Sequence, residues 1–164
     1  MPNREPIETT NLDTIYGSQT IPWSRPRDLL AVGAFGPGTP FFLGTVRPDG
    51  RPHAAGIGVA WYDDDLYFQC GPKTRKVRNV AANPACTISG SLPGMDLVFE
   101  GEARRVADTP TLEAVAAVYR EGGWPVHGLD GGVGPGQGRR VFCRQRPPGQ
   151  RPGLHALTVR AAAT

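Results

Sequence analysis

Four turn sequences cut the middle of the chain into short pieces: R-P-D-G at 47–50, the acidic D-D-D at 63–65, G-P at 71–72 and L-P-G-M at 92–95. Proline combined with glycine or aspartate sets tight turns and stops helices, so the pieces between them can be strands or short helices but not long helices. The same punctuation runs through the whole sequence, with 22 glycines and 17 prolines in 164 residues. A single, mainly β domain follows, long enough to bury a core.

The pieces have distinct patterns. Phe41 to Val46 reads as a strand, and so do Leu66 to Cys70, Ala85 to Ser91 and Asp96 to Val106. In the last of these, Glu100, Glu102 and Arg104 alternate with Phe99, Gly101 and Ala103, the pattern of a half-exposed antiparallel strand. Pro52 to Tyr62 reads as one strand in which His53, Ala55, Ile57, Val59 and Trp61 alternate with Ala54, Gly56, Gly58, Ala60 and Tyr62. One of its faces is therefore nearly all small residues. Such a face either packs closely on another sheet or subunit, or lets something flat approach the backbone.

Three helices are expected: Ser24 to Val32, a helix with Thr74 as N-cap running to Asn83 and stopped by Pro84, and one opened by Thr109 and Pro110 that ends at Glu121. In the last, Leu112, Val115, Ala116 and Tyr119 share a stripe that belongs to the core. Residues 1–22 are polar and unpatterned and read as an arm. Residues 127–164, with eight glycines and four prolines, show no strand periodicity apart from Leu154 to Val159 and read as largely irregular. The domain proper is 23–126.

Both lysines of the chain, Lys73 and Lys76, fall in one run, K-T-R-K, where a strand gives way to a helix. A compact ammonium, the planar fork of Arg75 and the Thr74 hydroxyl at a helix N-terminus make a cradle for a phosphate group. The same run also suits a solvated charge cluster at the start of a surface helix. It is not a nucleotide P-loop, because G-x-x-x-x-G-K-[ST] is absent, and there is no G-x-G-x-x-G.

The net charge of +3 does not point to nucleic acid. Residues 127–164 hold six arginines and one acid, whereas residues 1–126 hold 12 basic and 14 acidic side chains, so the domain as a whole is not basic and does not favour nucleic acid over its whole surface. Cys70, Cys86 and Cys143 are scattered, and His53, His127 and His155 lack ligand spacing, so neither a disulfide framework nor a metal site is expected. No stretch approaches a membrane span, and M-P-N-R-E-P-I-E lacks the apolar core of a signal peptide, which makes a cytoplasmic location the expectation.

From about Leu29 to Pro125 the order of parts resembles the FMN-binding split-barrel superfamily that includes pyridoxamine 5'-phosphate oxidase. The resemblance rests on R-P-D-G-R-P-H, on L-Y-F-Q-C-G-P-K-T-R-K-V-R-N-V-A-A-N-P, on F-E-G-E-A-R-R-V and on the helix beginning D-T-P. It implies a six-stranded antiparallel split β-barrel with two or three short helices, a homodimer, and FMN in a groove at the subunit interface. On that basis Lys73, Thr74, Arg75 and Lys76 would hold the cofactor phosphate. Gln69 and Cys70 would meet the ribityl chain and ring, and the segment with Gly58, Val59, Ala60 and Trp61 would lie beside the isoalloxazine.

The implied activity is hydride transfer between flavin and a small organic substrate. Vitamin B6 oxidation itself is not supported, since the strand H-A-A-G-I-G-V-A-W lacks the R-x-V-x-L-K of that enzyme, and Gly153, Leu154 and His155 only faintly echo its R-L-H. The sequence is also similar to the actinobacterial branch that binds the deazaflavin coenzyme F-420, where a basic residue equivalent to Lys76 takes the phosphate. A flavin- or haem-binding protein with little catalysis is a further alternative. No general acid or base is assigned; His53, Tyr62 and Tyr67 are the candidates.

Overall fold

The computed structural model describes residues 9–11, 21–31, 33, 35–126, 141–146 and 156–161. Their elements, in chain order, are β1 (Thr9–Asn11), α1 (Ser24–Leu30), β2 (Phe41–Val46), β3 (Pro52–Ile57), β4 (Val59–Tyr62), β5 (Asp65–Cys70), α2 (Arg75–Ala82), β6 (Ala85–Leu92), β7 (Met95–Arg105), α3 (Thr109–Glu121), β8 (Val141–Arg146) and β9 (Ala156–Ala161). The fold is mainly β, with three helices among the described residues. No described helix is long and apolar enough to cross a membrane.

Local chemistry makes the hairpins. Between β6 and β7, Pro93 fixes the first turn position and Gly94 takes a φ of 75° at the second, a conformation that costs glycine nothing, and Leu92 is left paired with Met95. Between β4 and β5 two aspartates, Asp63 and Asp64, hold φ values of 48° and 58°. Aspartate tolerates that region, and a turn with both central residues there matches the twist of the strands it joins. The R-P-D-G turn closes when the Gly50 N–H donates to the Arg47 carbonyl at 2.9 Å.

The strands form one sheet in the order β3-β2-β6-β7-β8-β5-β4, with β9 paired to β7 and to β1. The β1–β9 pair is parallel. The pairs along the rest of the sheet are antiparallel. Along one edge β7 takes two partners in turn, β9 over Met95 to Glu100 and β8 over Glu102 to Arg105.

Closure into the expected six-stranded barrel is not found among the described residues. Among these residues the sheet has nine strands; its two ends, β3 and β4, are consecutive pieces of chain joined through Gly58. The stretch from Pro52 to Tyr62, expected as one strand, is two because β3 pairs with β2 whereas β4 pairs with β5. Two further differences lie near the chain ends. Residues 9–11, expected as part of an arm, pair with β9. Residues 141–146, expected as irregular, form β8 between β5 and β7. The register of both is set by partners distant in sequence, which a local pattern does not reveal. The late strand expected from Leu154 is β9, and residues 127–140 lie outside the described residues.

Alternation decides which faces are buried. In β2, Phe41, Leu43 and Thr45 point into the main core and Phe42 points out; in β7, Met95, Leu97, Phe99 and Ala103 point in. That core also takes Trp23 and Leu30 from α1 and its N-cap, Val59, Trp61, Leu66 and Phe68 from β4 and β5, and Val80 from α2. A second cluster forms on the other face of β4 and β5, where Ala60 and Tyr67 meet Val115 and Tyr119 of α3. Each large side chain buried in this way contributes about 1.5–3 kcal/mol. Asp108 caps α3, its carboxylate accepting from the Thr111 N–H at 3.0 Å.

Candidate functional site

The start of α2 is built by a tight turn. The Thr74 N–H donates to the Gly71 carbonyl at 3.1 Å, and the Thr74 hydroxyl donates to the same carbonyl at 2.8 Å. Thr74 thus occupies the N-cap position with extended backbone, but its side chain makes no cap hydrogen bond. The first N–H groups of the helix are left for another acceptor, and the positive end of the helix dipole faces the same way. From the first turn Lys76 reaches across to β3, where its Nζ lies 3.5 Å from the Gly56 carbonyl.

A buried polar chain fixes α2 against the sheet. Asn79, 2% exposed, donates through Nδ2 to the Thr45 hydroxyl at 2.9 Å, and that hydroxyl donates to the His53 carbonyl at 3.3 Å. The helix carrying Lys76 is thereby tied to both β2 and β3.

Between α2 and the loop after α3 lies an open groove of about 620 Å³. Its floor is the β3–β4 junction at Gly56, Ile57 and Gly58, one side holds Gln69, Cys70, Gly71, Thr74 and Lys76, and the other holds Phe42, Trp124 and neighbouring prolines. The Gln69 side-chain oxygen is buried and has no hydrogen-bond partner. An orphaned acceptor of this kind costs about 1–3 kcal/mol, which a ligand donating an N–H or O–H would recover.

The floor is not uniform. A Cβ placed on Gly56 would meet nothing within 4 Å, whereas one on Gly58 would lie 3.1 Å from Cε2 and Cζ2 of Trp124 and 3.2 Å from its Cδ2. Gly58 is therefore needed for close approach, and what approaches is the Trp124 indole. The ring is held there by its Nε1–H, which donates to the Phe35 carbonyl, and by the Trp124 N–H, which donates to the Tyr119 carbonyl at 2.9 Å. Beneath it the Tyr119 hydroxyl lies 2.8 Å from the Gly58 carbonyl and 2.9 Å from that of Tyr67, pinning the junction between the two strands to α3.

Of the residues the sequence singled out, Gly58, Gln69, Cys70, Thr74 and Lys76 come together on this groove. Lys73 and Arg75 stand exposed at the head of α2 and are not among the groove-lining residues. Val59 and Trp61 are packed in the main core, and Ala60 lies under α3. Ala60 keeps its place on the small-residue face opposite Val59 and Trp61, but there α3 covers β4. His53, Tyr62 and Tyr67 are likewise outside the lining; Tyr62 and Tyr67 contact each other edge to face at 6.2 Å. Phe42, Trp124, Pro125 and the Pro37–Pro40 loop were missed, although G-G-W-P places a large aromatic in a turn, where it seldom serves the core. Among the described residues no group of three or more His, Cys, Asp or Glu is placed to hold a metal ion.

The sequence profile of the pyridoxamine 5'-phosphate oxidase family matches residues 35–147. The chain belongs to this family. The matched span takes in β2 to β8 and all the groove-lining residues named above. No match is found among curated proteins.

Solved structures agree on the fold. An F420 reductase is 27% identical, with a TM-score of 0.55 over 75% of this chain and 93% of its own. An FAD-binding protein from Mesorhizobium loti is 17% identical, with a TM-score of 0.60 over 88% of this chain and 98% of its own. A nimC/nimA family protein from Clostridium acetobutylicum is 19% identical, with a TM-score of 0.54 over 74% of this chain and 78% of its own.

Proposed function

We propose that the groove holds FMN and that the protein is an oxidoreductase acting on a small organic substrate. The observation that carries this reading is the convergence, on one groove, of the Lys76 ammonium, the open N-terminus of α2 and the unpartnered Gln69 oxygen beside the uncovered backbone at Gly56. The parts suit a phosphorylated, hydroxylated molecule with a flat end. When bound, the flavin supplies hydride chemistry at its N5, which needs no nucleophile from the protein.

The chain's own residues bind and orient. Lys76, with its long 3.5 Å contact to Gly56, gives up little on turning to a phosphate, and Lys73 and Arg75, exposed beside it, add charge from the solvent side. The free backbone donors at the start of α2 face the same anion, and Thr74, held on the Gly71 carbonyl, shapes the turn that presents them. Gln69 accepts from a hydroxyl or ring N–H, and Cys70 closes the floor next to it. Gly56 leaves the backbone bare, so that a planar group can lie directly on β3. Phe42, on one side of the groove, is 50% exposed, and a homodimer in which a second copy covers it belongs to the same reading.

A second reading, coenzyme F-420 in place of FMN, is favoured by the 27% identity to an F420 reductase. It uses the same cradle and the same wall.

The test is equilibrium binding of FMN and of riboflavin, which lacks the phosphate, to the unaltered protein and to Lys76→Ala. Loss of the ammonium should weaken FMN by about tenfold or more while changing riboflavin little. Equal loss for both would mean that Lys76 acts through folding and would refute the phosphate assignment.

A further inference from the structure

Along β3 and β4 the small residues on one face meet progressively more cover. Gly56 is open, Gly58 lies under Trp124, and Ala60 is buried beneath α3. The three indole atoms nearest a Gly58 Cβ, namely Cδ2, Cε2 and Cζ2, are at almost equal distances of 3.1–3.2 Å. Only a position above the ring face gives that pattern, since an approach in the ring plane toward the Cε2–Cζ2 edge would leave Cδ2 much farther away. The indole therefore lies flat on the wall at Gly58, in the layer that a planar group on Gly56 would occupy.

The geometry points to Trp124 as a specificity-determining residue: it fills the next place along the glycine wall and so ends the planar part of the groove. This rests on the reading that a flavin-type ring lies on the wall at Gly56. A ring on Gly56 meets the indole edge to edge, and the wall at Gly58, about 6–7 Å further along the strand, is closed to it. The stop is rigid. Trp124 is tethered by its ring N–H to Phe35 and by its backbone to Tyr119, and Tyr119 is itself fixed to the Gly58 carbonyl. Truncating Trp124 removes the stop and exposes Gly58, which has no side chain to replace it.

The test compares FMN with two derivatives lengthened at opposite ends of the ring system, one benzylated at N3 and one carrying benzylamino at C8. If the protein takes up the deazaflavin instead, the same substituents are placed on that ring. The unaltered protein should bind one derivative at least about tenfold more weakly than the parent, because overpacking a closed site is penalised on this scale. Trp124→Ala and Trp124→Leu should bring that derivative to within about threefold of the parent. Trp124→Phe, which keeps a ring on Gly58, should retain the discrimination.

A gain of binding on truncation is what a merely structural tryptophan cannot give, since a loosened fold weakens every ligand together. Unchanged discrimination in whichever of the alanine and leucine variants melts cooperatively, or none at either end in the unaltered protein, overturns the inference. Failure of the unaltered protein to bind either parent cofactor overturns the underlying reading, and the inference falls with it.

Discussion

Replacing Gly58 with alanine tests the contact on which the shape of the groove depends. The added Cβ would lie 3.1 Å from two indole carbons of Trp124 and 3.2 Å from a third, against an ordinary carbon–carbon contact of about 3.5–4.0 Å. The indole would have to retreat by a few tenths of an ångström while its N–H stays on Phe35 and its backbone on Tyr119. Overpacking of this kind costs about 1–3 kcal/mol. The lower entropy of the unfolded chain returns about 0.4–1 kcal/mol. A net loss of about 1–2 kcal/mol is expected, a fall in Tm of roughly 3–6 °C for a chain of this size.

Gly56→Ala is the matched control. Nothing stands within 4 Å of its Cβ, so it should be neutral or stabilise by up to about 1 kcal/mol. Denaturant unfolding followed by tryptophan emission measures both. In a Trp124→Ala background the cost of Gly58→Ala should shrink by about 1 kcal/mol or more, because the two residues are in contact. If Gly58→Ala proved as stable as Gly56→Ala, the indole would not cover Gly58 and the reasoning would be refuted.

Gly56→Ala should nevertheless weaken FMN binding, since its methyl group projects from the wall on which the ring lies; unchanged affinity in a titration would place the ring elsewhere. Asn79→Ala removes a buried donor to Thr45 and should cost about 1–3 kcal/mol in denaturant unfolding, whereas a loss below about 0.5 kcal/mol would show that α2 is not anchored there. Tyr119→Phe leaves the Gly58 and Tyr67 carbonyls without their shared donor and should cost about 1–2 kcal/mol by the same assay; a neutral result would contradict the pinning of the β3–β4 junction.

Features set by local chemistry were legible in the sequence. The turns at Pro93–Gly94 and Asp63–Asp64, the start and stop of α2 and the alternation of β7 each depend on neighbours in the chain, and the structure has them close to where the sequence indicates. Thr74 is the N-cap residue the sequence indicates, but its hydroxyl donates to the Gly71 carbonyl, three residues back, and makes no cap hydrogen bond to the helix.

What could not be read depends on residues far apart. Nothing within Pro52 to Tyr62 says that β4 leaves β2 for β5, or that α3 covers its second face and buries Ala60. The small-residue face was visible as a pattern, but Trp124, which occupies part of it, comes from beyond α3. Likewise the two partners of β8, β5 on one edge and β7 on the other, come from distant parts of the chain.

The central claim is that this groove takes up a flavin-type cofactor. Its most direct test is the visible absorption spectrum of the purified protein, before and after adding FMN or coenzyme F-420 and removing the excess by gel filtration. The expected result is a retained chromophore, two visible and near-ultraviolet bands for FMN or a single violet band for the deazaflavin, that is lost in a Lys76→Ala, Gly56→Ala double variant that still melts cooperatively. A protein that retains neither chromophore, or a double variant that retains it as well as the unaltered chain, would contradict the account.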